Sequence, residues 1–201
     1  MPQLLIATKN AHKTREIASI LGSSWEVSDL ASRADIPAPE ETGTTFPQNA
    51  TLKALEASRR FQEGWVLADD SGLCVDALGG APGVVSARYA GPDASDAQNR
   101  ALLLREMAGF PEAFQRAARF ECVMVLARAG EVRALFHGIV EGTLLTGEQG
   151  EGGFGYDPLF VPQGHSDSFG VLPSEIKNAI SHRSRALGAF RDWVQSNASL
   201  F

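Results

Sequence analysis

Leu4-Leu5-Ile6-Ala7-Thr8-Lys9-Asn10-Ala11-His12-Lys13 is the stretch on which the reading of the fold turns. Leu4 to Ala7 is a short apolar run, which predicts a buried strand. Thr8-Lys9-Asn10 breaks it with three polar residues. From Lys13 to Leu21 the apolar Ile17, Ile20 and Leu21 recur at helical spacing, and Gly22 supplies a stop. A strand, a polar loop and a helix in that order open an α/β fold.

Outward from there the pattern repeats. Trp25 to Val27 predicts a returning strand. After a polar, Pro-containing stretch from Ser32 to Thr45, Ala50, Leu52, Ala54, Leu55 and Phe61 fit a second helix that starts at Pro47. Trp65-Val66-Leu67-Ala68 predicts another buried strand, ending at Asp69-Asp70-Ser71-Gly72. A Gly-rich segment, Leu78 to Gly91, precedes a helix around Ser95 to Met107. Phe120 to Leu126 and Val132 to Val140 read as a strand pair joined across Ala129-Gly130. A second Gly-rich stretch, Gly147 to Asp157, leads to Leu159-Phe160-Val161, and Ser184 to Val194 closes the chain as a helix. Helices and strands alternate first and strands cluster later, so the expected class is α/β with a mixed sheet.

Bulk properties narrow the function. The chain has 201 residues, 44% of them hydrophobic, enough for one sizeable core, in one domain or two small lobes. The net charge of −6 argues against a broad electropositive face for nucleic acid. No apolar run approaches the roughly 18 residues of a membrane span. Met1 to Ala7 lacks the features of a signal peptide, which makes the cytoplasm the expectation. Two cysteines, Cys74 and Cys122, are expected as buried thiols, and the four histidines show no zinc-ligand spacing. Of the 18 basic residues only four are lysines: Lys9, Lys13, Lys53 and Lys177. Each falls beside other polar groups.

Five segments carry the chemistry. Thr8-Lys9-Asn10-Ala11-His12-Lys13 sits between strand and helix, where backbone N–H groups and lysines make an anion site. It is not a Walker A loop, and helix capping by Thr8 or Asn10 is the plainer alternative. Asp69-Asp70-Ser71-Gly72 is placed at a strand's carboxyl end, where ligand clefts gather. Two adjacent carboxylates need compensation, and on a strand they face opposite ways. Glu40-Glu41 is a second carboxylate pair, in a loop, and hard oxygens from separate segments suit Mg²⁺. Gly152-Gly153-Phe154-Gly155-Tyr156-Asp157-Pro158 combines close backbone approach with aromatic faces for a base. Lys177-Asn178-Ala179-Ile180-Ser181-His182-Arg183 offers a phosphate-neutralising lysine, and a His-Arg pair that donates to a carbonyl such as a 6-keto purine presents.

Taken together, the segments resemble the inosine triphosphate pyrophosphatase family. The matching pieces run in order: Thr8-Lys9-Asn10 with Lys13 and Glu16; Glu41-Thr42-Gly43-Thr44-Thr45-Phe46 with Asn49-Ala50 and Lys53-Ala54; Ala68 to Leu73; Val75 to Gly83; Ser86-Ala87-Arg88-Tyr89; Gly152 to Pro158; and Ser181-His182-Arg183. The resemblance implies one nucleotide pyrophosphatase domain over residues 1–201, with an elongated mixed sheet flanked by helices and two lobes around an active-site cleft. It also implies a homodimer. The implied reaction is Mg²⁺-dependent hydrolysis of non-standard purine nucleoside triphosphates to monophosphate and pyrophosphate, which cleanses the nucleotide pool.

The resemblance also implies roles. Thr8, Lys9, Asn10, Ala11, His12 and Lys13 grip the triphosphate. Glu40 and Asp70 hold Mg²⁺, and Asp70 is also the catalytic acceptor that activates water. Lys53 and Ser71 assist near the phosphates. Phe154, Gly155, Tyr156 and Asp157 cradle base and sugar, Lys177 meets phosphate or base, and His182 with Arg183 reads the 6-keto edge. Three features depart from the family pattern: Lys9 where a small residue is usual, Gln48 where an acid is usual, and a short lead-in, Pro173 to Ile176, before Lys177.

Rival readings are a pyrophosphatase for modified pyrimidines, disfavoured by His182-Arg183, and a non-catalytic nucleotide-binding protein, disfavoured by Glu40 and Asp70. A nucleic-acid-binding module is disfavoured by the acidic balance.

Overall fold

The computed structural model describes residues 1–200. Its strands are β1 (Gln3–Ile6), β2 (Glu26–Asp29), β3 (Trp65–Val75), β4 (Ala117–Arg128), β5 (Glu131–Leu144) and β6 (Phe160–Pro162). They form a six-stranded sheet in the order β2-β1-β3-β4-β5-β6. β1 pairs in parallel with both β2 and β3, whereas β5 and β6 are antiparallel, so the sheet is mixed as expected. The helices are α1 (Ala11–Leu21), α2 (Phe46–Arg60), α3 (Asp96–Glu106), α4 (Ser174–Ile180) and α5 (His182–Ser196).

The chain divides into two compact units. Residues 1–70, 122–138 and those from 183 onward make the first; residues 71–121 and 139–182 make the second. In the first, Leu4, Ile6, Ile17, Leu67, Met124, Leu126, Phe136 and Phe190 form one buried apolar cluster. In the second, Leu73, Val75, Leu103, Phe120, Val140, Leu144, Phe160 and Phe169 form another. Burial of these side chains is the main favourable term in each unit.

Local signals explain most boundaries. Asn10 caps α1, its Oδ1 accepting from the N–H groups of His12 and Lys13. Thr45 caps α2, with Pro47 in the first turn. Ser95 and Gln98 form a reciprocal capping box at α3. The hairpin between β4 and β5 turns on Ala129 (φ 52°) and Gly130 (φ 79°), the paired left-handed conformations that a tight hairpin demands.

Two elements differ from expectation. β3 does not stop at Asp69; it runs on through Asp70-Ser71-Gly72 to Val75. The continuation is held by burial of Leu73 and Val75 and by Ser86 Oγ, which accepts from the Leu73 N–H at 3.0 Å. Residues 174–180, read from sequence as the end of a lead-in and the start of the basic segment at Lys177, form the separate helix α4. No described helix is long and apolar enough to cross a membrane.

In the first unit β1 is flanked by β2 on one side and β3 on the other, so the chain reverses direction across the sheet there. The carboxyl end of β1 lies at that switch beside β3, with Ile6 opposite Leu67 and the Ala7 N–H donating to Leu67 O at 2.9 Å. This is where open α/β sheets collect ligands.

Candidate active site

Two rows of polar groups grow from that switch point, one on each side of β3. Asp69 is buried completely among partners from three other elements. Lys13, from the first turn of α1, bonds its Oδ1; Arg183 Nε, from the start of α5, donates to Oδ2 at 3.0 Å; and the Cys122 thiol of β4 donates to Oδ2 at 3.2 Å. Arg183, itself only 1% exposed, also bonds Glu16, one turn along α1 from Lys13. Burial would push the Asp69 carboxyl up, but the charges of Arg183 and Lys13 outweigh it and hold the group well below the usual carboxylate range. The Cys122 thiol is pushed well up, first by burial and then by Asp69. It is an inert, structural thiol.

Asp70 meets a different set. Lys53, on the buried face of α2, donates to Asp70 Oδ1 at 2.8 Å and to Glu41 Oε1 at 3.0 Å. Burial lowers the Lys53 ammonium, but its carboxylate neighbours Asp70 and Glu41 win and raise it, so the lysine is charged. At Asp70 burial is the larger effect and the carboxyl is raised in spite of Lys53. Asp70 Oδ2 is buried and has no hydrogen-bond partner among the described residues. A buried carboxylate oxygen left without a donor is costly unless a ligand completes it.

That atom is the test for a metal. Mg²⁺ takes one or two protein carboxylates and fills its remaining positions with water and phosphate. One unpartnered oxygen at Asp70, with the Glu41 carboxylate in the same charge network through Lys53, fits that habit. Among the described residues no group of three or more His, Cys, Asp or Glu side chains builds an all-protein cage. Of the loop pair, Glu41 is the partner of Lys53, whereas Glu40 is exposed.

The loop from Thr8 to Lys13 is shaped largely by its own side chains. Lys13 is drawn to Asp69, while Lys9 and His12 are exposed and Arg15 reaches His12 Nδ1 at 3.0 Å. Thr8 Oγ1 accepts from the Asn10 N–H at 3.1 Å, so both side chains are spent on shaping the loop. Two of the backbone N–H groups expected to face an anion are taken by the Asn10 cap. Gln48 is likewise a capping residue, its Oε1 accepting from the Thr44 N–H at 2.8 Å.

The second unit holds the aromatic segment. Lys177, buried on α4, donates to Asp157 Oδ2 at 2.5 Å and stands 4.7 Å from the centre of the Phe154 ring. Asp157 Oδ2 also accepts from the Phe154 N–H at 2.8 Å. Gly153, at φ 72°, is required here: a Cβ would lie 2.0 Å from Asp157 Oδ2. Tyr156 is buried and donates its hydroxyl to Ser86 O at 2.8 Å, which makes it an anchor of the loop and not a stacking face. His182 is buried and stacked on Phe120 at 4.9 Å and 15°. Ser71, the next residue after Asp70 on β3, is half-buried.

Sequence reasoning gave no role to Glu16, Cys122, Asp96 or Arg100. Glu16 was visible as a motif residue. The others are linked to their partners across dozens of residues of chain, with no local signal.

The comparisons agree with this architecture. The Ham1 family profile matches residues 4–193. The chain is 50% identical over 188 residues to the dITP/XTP pyrophosphatase of Geobacillus kaustophilus, covering 93% of this chain and 91% of that one. It is 46% identical to the dITP/XTP pyrophosphatase of Geobacter sulfurreducens, covering 96% of each chain. Among solved structures it resembles the Staphylococcus aureus Ham1 protein with a TM-score of 0.85 at 35% identity, over 97% of this chain and 99% of that one. A profile match over nearly the whole length and this degree of identity place the chain in the Ham1 family.

Proposed function

We propose that this protein hydrolyses non-standard purine nucleoside triphosphates, such as those of inosine, deoxyinosine and xanthosine, to the monophosphate and pyrophosphate. The observation that carries the reading is Asp70 Oδ2, a buried carboxylate oxygen without a donor, beside a buried, charged Lys53. Relatives named dITP/XTP pyrophosphatase support the substrate class. The protein acts as a Mg²⁺-dependent homodimer in the cytoplasm, where its nucleotide substrates are pooled.

Water attacks the α-phosphorus, and the bond from that phosphorus to the bridging oxygen breaks, so pyrophosphate leaves in one step. Asp70 accepts the proton of the attacking water. Lys53 holds Asp70 in place and adds positive charge beside the phosphates. Bound Mg²⁺, held by Asp70 with the Glu40–Glu41 loop, would neutralise phosphate charge and polarise the reacting oxygen. Thr8 to Lys13 and Ser71 flank the phosphates. Phe154 stacks on the base while Lys177 and Asp157 fix its loop. The His182-Arg183 pair takes the 6-keto oxygen, with Asp69 and Glu16 setting where the Arg183 guanidinium stands.

Hydrolysis of inosine triphosphate in water enriched in the heavy oxygen isotope tests the route. The label is expected in the monophosphate. Label in the pyrophosphate would place the attack on the β-phosphorus and overturn the mechanism.

A further inference from the structure

Helix α3 carries no residue given a part in the proposed reaction, yet it grips the aromatic segment at one point. Asp96 Oδ2 accepts from the Gly155 N–H at 2.6 Å, and Arg100 Nη1 donates to Gly155 O at 2.8 Å. Asp96 and Arg100 are four residues apart, one above the other on the same helix face. Together they fix both peptide groups that flank Gly155, the residue next to Phe154. Gly155 has φ 61°, a left-handed conformation that costs a non-glycine residue but leaves glycine free to move, so an external hold has something to do. Arg100 Nε lies 3.0 Å from Glu148 Oε1 as well, which ties the preceding part of the same Gly-rich stretch to the same guanidinium.

The helix is itself firmly seated. Its start is closed by the Ser95–Gln98 capping box. On its buried side, Asn99 Oδ1 accepts from the Ala90 N–H at 2.8 Å and Asn99 Nδ2 donates to Ala87 O at 3.1 Å, while Leu103 is fully buried. Tyr156 bonds Ser86 in that same segment, so the residues on either side of α3's grip share one support.

We infer that Asp96 and Arg100 are positioning residues that hold the Phe154 ring in its base-stacking place through the backbone of Gly155. The inference rests on the reading that Phe154 faces the base. Neither side chain touches substrate. Their effect is to keep the loop preorganised, so that binding a base does not have to order it.

The test is calorimetric titration of the full-length protein with inosine monophosphate and, separately, with pyrophosphate, which has no base. Phe154→Ala is expected to weaken inosine monophosphate about tenfold. Arg100→Ala and Asp96→Ala are expected to weaken it about fivefold, and all three to leave pyrophosphate within about twofold of the parent. Asp96→Asn keeps an oxygen acceptor for the Gly155 N–H and is expected to bind as the parent does. Asp96 is exposed, so its variants fold whether or not Arg100→Ala does. If Phe154→Ala has the expected effect while Arg100→Ala and Asp96→Ala bind inosine monophosphate normally, the positioning role is wrong and the base-stacking reading stands. Equal losses for both ligands would reduce the pair to a structural role and overturn the inference. If Phe154→Ala itself changes nothing, the base-facing reading fails and the inference falls with it.

Discussion

Asp69 and Asp70 are consecutive carboxylates on β3 that answer to different cations: Asp69 to Lys13 and Arg183, Asp70 to Lys53 at 2.8 Å. Strand geometry makes this possible, because successive side chains leave opposite faces of the sheet. The same geometry separates their electrostatics. Asp69, with two cations and a thiol, is held ionised, whereas Asp70 is raised by burial and keeps one oxygen without a partner. On the proposed mechanism, one carboxylate serves structure and the other serves chemistry.

Asp70→Asn should therefore abolish turnover, by about a thousandfold or more, and leave the fold intact. The amide preserves shape and still accepts from Lys53, but it takes no proton from water. Steady-state rates and a thermal melt check this. A variant that kept most of its activity would remove Asp70 from the role of acceptor.

Asp69→Ala should behave in the opposite way, as a stability mutant first. It leaves the Arg183 guanidinium buried with Glu16 as its remaining carboxylate and leaves Lys13 without its ion pair. Removing one partner from a buried ionic network typically costs about 3–5 kcal/mol. Urea unfolding should show a stability loss of that size, read as a lowered midpoint with an unchanged slope. A loss below about 1 kcal/mol would mean that the network contributes little to stability.

Lys53→Met tests the other face of β3. Methionine fills the space on α2 but leaves Asp70 and Glu41 without their shared cation. Turnover should fall by about a hundredfold as transition-state charge stabilisation is lost. Full activity in this variant would confine Lys53 to a structural role.

Gly153→Ala should disturb the aromatic loop specifically. The new Cβ would need the space of Asp157 Oδ2, the atom that holds both Lys177 and the Phe154 N–H, at a φ that alanine disfavours. The expected result is a KM for inosine triphosphate raised about tenfold, with a destabilisation of about 1–3 kcal/mol. An unaltered KM would show that the placement of Phe154 does not matter to substrate.

Much of this was legible in residue order, and the exceptions share a cause. The first strand, helix and capping loop could be read because Leu4 to Ala7 and Ile17 to Leu21 carry their periodicity locally. The end of β3 could not. Two aspartates inside a strand look like a turn, and the partners that make Asp69 tolerable there, Lys13 and Arg183, are 56 and 114 residues away. That Glu41 is a partner of Lys53 is a matter of which side a loop turns, which spacing does not encode. The hold of Asp96 and Arg100 on Gly155 was equally invisible, since it acts on backbone atoms and so leaves no pattern in the segment that it grips.

The central claim is the reaction together with its selectivity, and pyrophosphate release from a panel of nucleotides tests it most directly. Inosine, xanthosine, adenosine, guanosine and cytidine triphosphates would be compared, with Mg²⁺ and with a chelator. The account predicts strong, Mg²⁺-dependent release of pyrophosphate from the inosine and xanthosine nucleotides and little from the others. Orthophosphate in place of pyrophosphate, equal turnover of all five, or full activity in chelator would contradict it.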